Sequence, residues 1–172
     1  MLKKTTLAIV AAIGIAGSIG IVGHAAADNT LVKFDGGIGV IPVSAGVGMG
    51  ATATDVTRNI VRNVQPPGQP WVIRDLTADI KVDGSIRVKG EGLLLAGGNG
   101  IGTTGNQSVR ATLICDTTLF DTNLVLLEPN GDFRIDDVLS PAPPTVCANP
   151  VLLIRNAGGA WFAAGIPDLS ND

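Results

Sequence analysis

Asp75 with Glu91, and Glu128 with Asp132, are the residue pairs of this chain best suited to acid–base work. Glycoside hydrolysis uses two such carboxyl groups, one kept protonated by its surroundings and one ionised. Each pair brackets a hairpin in the sequence, so both fall at strand ends, where solvated carboxylates are ordinary. A sugar cleft also needs aromatic platforms. After residue 27 the chain offers only Trp71, Trp161 and four phenylalanines, with no tyrosine. The single histidine, His24, lies in the N-terminal leader. Losing it removes Ser-His-Asp and Cys-His nucleophilic sites and histidine-ligated zinc, copper or iron. The expectation is a chain with no catalytic residue and no cofactor.

Weaker motifs come with plainer explanations. Ser85 with Lys81 or Lys89 could be drawn as a dyad, but these residues flank a turn and would be wet. Gly100-Ile101-Gly102-Thr103-Thr104-Gly105 has the spacing of a dinucleotide loop. Such a loop needs a helix after it, and Gln107 to Cys115 alternates as a strand. Asp132, Asp136 and Asp137 could offer oxygens to calcium, yet their spacing is not that of a calcium loop, and edge charges that blunt aggregation explain them as well. Asn106-Gln107-Ser108 is a glycosylation sequon, meaningful only in a host that glycosylates it. Arg87, Arg110 and Arg134 sit mid-strand on the polar face. They could form a face for an anionic partner, but cross-strand pairing with Asp79, Asp75 and their neighbours is the simpler expectation. Trp71 and Trp161-Phe162 read as core aromatics.

The leader sets the compartment. Lys3 and Lys4, an uncharged run from Leu7 to Gly23, and Ala25-Ala26-Ala27 before Asp28 form a secretory signal peptide over 1–27. The run carries Gly14, Gly17, Gly20 and Gly23, and it is shorter than the about 20 apolar residues of a spanning helix. Cleavage leaves residues 28–172 as one domain, secreted or periplasmic, with 10 basic and 15 acidic residues. That balance argues against nucleic acid and against docking on anionic lipid, and no later segment suits membrane insertion. In an oxidising compartment Cys115 and Cys147 read as one disulfide.

Short apolar runs alternate with Gly, Pro, Asn and Asp clusters, the pattern of an all-β chain. The expected fold is a single antiparallel β-sandwich of about eight to ten strands with one disulfide. Strands are expected near 31–34, 38–44, 56–64, 71–82, 85–95, 108–116, 123–128, 132–138, 151–155 and 160–165. Segment 56–64 also fits a helix face after Asp55, but its β-branched content and Pro66, Pro67 and Pro70 favour a strand.

Two hairpins have an arguable register. A three-residue loop with Gly84 left-handed sets Ile80 opposite Ile86, Ala78 opposite Val88 and Asp79 opposite Arg87. The same logic with Gly131 sets Leu127 opposite Phe133 and Val125 opposite Ile135. Trp71 and Ile73 are out of phase with Leu76, Ala78 and Ile80, so a bulge is expected near Arg74-Asp75. In the strand over 108–116, Val109, Ala111, Leu113 and Cys115 share one face, and Cys115 should be inward. The bridge would then pin the Ser140–Pro144 crossover.

Three stretches, Gly68 to Ile73, Gly92 to Gly105 and Phe133 to Pro141, resemble exported bacterial β-rich proteins that carry no functional name. The resemblance covers most of the chain after the leader and implies no catalytic residue. The expected function is a non-enzymatic binding or structural module of the cell envelope or medium, with a protein or envelope ligand as partner. Carboxylate-dependent hydrolysis is the alternative, as is carriage of a small apolar ligand if the sheets close into a barrel. Two glycine-rich loops are the expected binding elements: Ser44–Thr54 with Gly46, Gly48 and Gly50, and Ala96–Gln107 with Gly98, Gly100 and Gly102.

Overall fold

The computed structural model of the protein describes residues 29–47 and 55–169. The expected leader over 1–27, Gly48 and Gly50 lie outside the described residues. Among the described residues thirteen strands follow in order: β1 (Thr30–Gly39), β2 (Val43–Val47), β3 (Asp55–Arg58), β4 (Trp71–Val72), β5 (Asp75–Lys81), β6 (Ser85–Glu91), β7 (Leu94–Leu95), β8 (Ser108–Cys115), β9 (Thr118–Asp121), β10 (Val125–Leu126), β11 (Phe133–Val138), β12 (Val151–Asn156) and β13 (Trp161–Pro167). Nine of them form one antiparallel sheet in the order β10-β8-β12-β13-β1-β5-β6-β11, with β9 also paired to β8. Two short ribbons, β2-β3 and β4-β7, complete the structure.

The sheet is curled. Asp121, which ends β9, exchanges backbone hydrogen bonds of 3.0 and 2.9 Å with Ser140, just beyond β11, so the two ends of the strand order meet. The all-β, antiparallel and disulfide-bridged expectation holds. The pairing gives one continuous curled sheet where two stacked sheets were expected.

Sequence chemistry explains the local structure. Gly84 and Gly131 hold φ of +85° and +83°, the left-handed region that costs glycine no strain. Ile80 pairs with Ile86, Ala78 with Val88 and Asp79 with Arg87, the expected register. The second hairpin closes only at its tip, where the Glu128 amide donates to the Asp132 carbonyl at 2.9 Å. Above that tip β10 pairs with β8 and β11 with β6, so Val125 faces Val109 instead of Ile135. The phase change after Trp71 is a break instead of a bulge. Ile73 and Arg74 separate β4 from β5, Gly92 and Leu93 separate β6 from β7, and the β4-β7 ribbon leaves the main sheet.

Segment 56–64 contains no helix. It holds the end of β3 and a turn in which Arg62 and Asn63 take positive φ between the bridged Val61 and Val64. β1 runs unbroken across the gap expected between 34 and 38. Gly46, expected in a loop, lies within β2.

The core sits inside the curl. β5, β6 and β11 bury alternate residues: Leu76, Ala78 and Ile80; Ile86 and Val88; Phe133 and Ile135. Their other face is wet, as antiparallel sheets allow. β8, β12 and β13 bury consecutive residues, including Leu113-Ile114, Leu152-Leu153-Ile154 and Trp161-Phe162-Ala163, so these stretches are covered on both faces. Trp161 donates its indole N–H to the Asn59 carbonyl at 3.0 Å, and Trp71 stacks on Phe162 with ring centroids 4.0 Å apart. Cys115 is buried and bonded to Cys147, with Cα atoms 5.0 Å apart across a sequence separation of 32.

Candidate functional site

The wet face of β1, β5, β6 and β11 forms a groove of about 440 Å³. Two rows of side chains cross it. Register places Lys33, Asp79, Arg87 and Asp136 in one row, and Asp35, Thr77, Lys89 and Arg134 in the next. The first row alternates in sign. The second has a carboxylate at one end and two cations at the other. Neighbouring strands lie about 4.8 Å apart, so the two ends stand about 14 Å apart at the backbone. Asp168, whose amide donates to the Lys33 carbonyl at 3.0 Å, borders the β1 side.

Partners divide these charges into committed and uncommitted groups. Arg87 meets Asp136 at 3.3 Å with both side chains about four-fifths exposed, so the pair is weak. Lys81 reaches Asp79 Oδ2 at 3.0 Å, while Asp79 Oδ1 is buried with no hydrogen bond among the described residues. Lys89 and Arg74 both grip Glu91, Arg74 at 2.8 Å. Hydrogen bonds from Lys89 and then Arg74 hold the Glu91 carboxyl down at about 2. Among the described residues, Arg134 and Asp35 make no ion pair.

The carboxylate pairs read from the sequence are opposed but do not converge as acid and base. Asp75 does stand opposite Glu91, yet Asp75 Oδ1 accepts from the Leu76 amide at 2.9 Å, and Glu91 is held by its two cations. Glu128 is exposed. Asp132 accepts from the Gly92 amide and from Asn130 Nδ2, each at 2.9 Å. Glu91 is shifted downward by its cations, and a general acid needs the opposite. Asp137 is also lowered, first by the Asn123 amide and then by the Val138 amide.

The remaining candidates separate. Asp136 and Asp137 are adjacent in β11 and engage Arg87 and Asn123 respectively, while Asp132 lies in the turn before the strand. Among the described residues no group of three or more His, Cys, Asp and Glu side chains is placed to hold a metal ion. Ser85 donates its hydroxyl to Asp83 at 2.7 Å, so no Ser-Lys dyad forms. Arg110 and Arg155 share Asp121 at 3.6 and 3.3 Å, the structural pairing expected of a sheet arginine. Loop 96–107 is tightly turned. Leu95 and Thr103, Gly102 and Leu95, and Gln107 and Thr104 are joined by backbone hydrogen bonds of 2.9, 2.9 and 3.1 Å, with Gly98 and Gly102 at positive φ and Thr104 buried.

Lys33, Asp35 and Thr77 are among the site residues that sequence reasoning missed. Their alternation marks a polar strand face, but only the non-local pairing of β1 with β5 brings that face beside Lys89 and Arg134. No helix among the described residues is long and apolar enough to cross a membrane. No family model, curated protein or solved structure matches the chain.

Proposed function

We propose that the protein is an exported, non-enzymatic binding module of the cell envelope or medium, mature from Asp28, and that the groove on β1-β5-β6-β11 is its contact face. The observation that carries this reading is the pair of uncommitted charges, Arg134 and Asp35, at opposite ends of one row in that groove. A solvated sheet face normally pairs its charges across strands, so unpaired charges at the two ends favour a partner that supplies the complements. The lowered carboxyls and their amide and cation partners support binding over acid–base turnover. The interior of the curl is filled by Leu76, Ile80, Ile86, Leu113 and Ile154, each fully buried, which favours surface recognition over carriage of an apolar ligand. The disulfide and the resemblance to exported bacterial proteins support the compartment.

The test compares the exported protein with Thr77→Trp, which fills the groove floor. Both are measured for turnover on sugar, ester and peptide substrates and for retention on insoluble cell-envelope fractions. Retention that falls in the folded variant, with no turnover in either protein, is expected. Turnover abolished by Asp75→Asn or Glu91→Gln would establish a hydrolase instead.

A further inference from the structure

We infer that Arg134, with Lys89 beside it, is the seat for an oxyanion: one carboxylate, sulfate or phosphate group carried by the partner of this face. The inference rests on the groove being the binding face proposed above. Lys89 and Arg134 are directly opposite on β6 and β11. Like charges so placed repel each other and weaken a sheet. The neighbouring cations have their own carboxylates: Arg87 has Asp136, Lys81 has Asp79, and Lys89 has Glu91, while Lys33 stands opposite Asp79. Arg134 is exposed and has none among the described residues.

A guanidinium presents paired N–H donors in a planar fork that fits two oxygens of one oxyanion. The Lys89 ammonium keeps donors beyond the one given to Glu91. An anion between them converts this repulsive cross-strand pair into an attractive arrangement. Placement of the other charges narrows the partner. Asp35 and Asp168 occupy the β1 side, and the chain is acidic overall, so a run of negative charge would be repelled. The ligand therefore carries a single anionic group at its β11 end, which favours an isolated charge over a polyanion such as nucleic acid.

The test titrates the exported protein with sodium sulfate, phosphate and acetate at constant ionic strength against chloride, following amide and arginine side-chain NMR shifts. Saturable shifts should cluster on Lys89, Arg134 and their strand neighbours. Arg134→Gln should weaken binding about tenfold or more, the worth of one charge-assisted hydrogen bond. Asp136→Asn should strengthen it by freeing Arg87. Arg62→Gln makes the same charge change at an exposed residue of the turn between Val61 and Val64 and should leave binding unchanged. Equal losses in the Arg134 and Arg62 variants would reduce the effect to screening and overturn the seat. If none of the three anions binds while Thr77→Trp still removes envelope retention, the seat fails and the binding face stands. If Thr77→Trp leaves retention intact, the face itself fails.

Discussion

Glu91 is the residue whose ionisation the fold perturbs most among those with a resolved shift, and its surroundings fix the sign. Its folded value, about 2, lies below that of an unperturbed glutamate. A depressed carboxyl stabilises the folded state above its unfolded pKa, and that stabilisation is lost as pH falls through the folded value. The difference in melting temperature between the wild type and Glu91→Gln should therefore be largest at neutral pH and shrink from about pH 4.5 toward 2. Added salt should shrink it too, since Lys89 and Arg74 are solvent-facing. A difference that grows on acidification would contradict the pairing. Gly131 gives a second residue-scale expectation. A Cβ there would come within 2.6 Å of the Leu93 backbone amide, whereas at Gly84 the nearest atom is a Pro143 ring carbon at 3.0 Å. Both positions carry the left-handed strain. Gly131→Val and Gly84→Val should each cost more than about 1 kcal/mol, with Gly131 the worse because backbone cannot swing aside. Denaturant unfolding of the two variants checks the ranking.

At the scale of elements, the β4-β7 ribbon depends on close approach and one aromatic stack. A Cβ on Gly39 would meet the Val72 Cα at 2.7 Å, so glycine is required where β4 crosses the end of β1. Val40 carries the junction, donating to the Phe162 carbonyl and accepting from the Trp71 amide, each at 3.0 Å. Trp71→Ala should cost about 3–5 kcal/mol, the usual range for emptying a buried aromatic site, and should loosen amide protection at Leu94 and Leu95 more than in β5. Cys115→Ser should cost about 2–5 kcal/mol, read as a lowered denaturation midpoint. These elements also show what the sequence could reveal. The β5-β6 register was legible because a glycine turn and two alternating strands lie within a few residues of each other. The Glu128–Asp132 turn was legible for the same reason, but the destination of β10 was not. The Leu127 amide donates to the Gln107 carbonyl at 3.1 Å, a contact across the sheet that no local pattern announces. The parity break at Trp71 was visible, but its execution as a departure into a second ribbon needed the matching break at Gly92-Leu93. The candidate groove was half legible. Arg87 and Arg134 stood out by parity, whereas Lys33 and Asp35 come from a strand that precedes Arg87 by more than fifty residues and Arg134 by about a hundred.

Across the whole molecule, burial divides the curled sheet into two unequal halves. The consecutively buried stretches of β8, β12 and β13 are packed on both faces, so their backbone hydrogen bonds can open to water only when packing on one side or the other is lost. β5, β6 and β11 have one packed face and one wet face, and the charged groove lies on the wet one. The β2-β3 ribbon exposes Val43 and Val56 and pairs with no strand of the main sheet. Local opening is easiest where few apolar contacts are broken. Native-state hydrogen exchange should therefore be slowest at Leu113, Ile114, Leu153 and Ile154, near the limit set by global unfolding. It should be intermediate at Thr77, Asp79 and Val88, and fastest at Thr57 and Arg58. Reducing the disulfide should accelerate exchange at Ile114 and Cys115 before it reaches Ala78 or Ile86, because Cys147 tethers the 139–150 crossover against the β8 side. A uniform change across both halves would mean that the curl opens as one unit, with the Asp121–Ser140 bridge as closely coupled to the groove as to the doubly covered strands. The expected gradient instead leaves the groove on a framework whose rigid half lies behind it, so that the exposed side chains of β6 and β11 can adjust without opening the core.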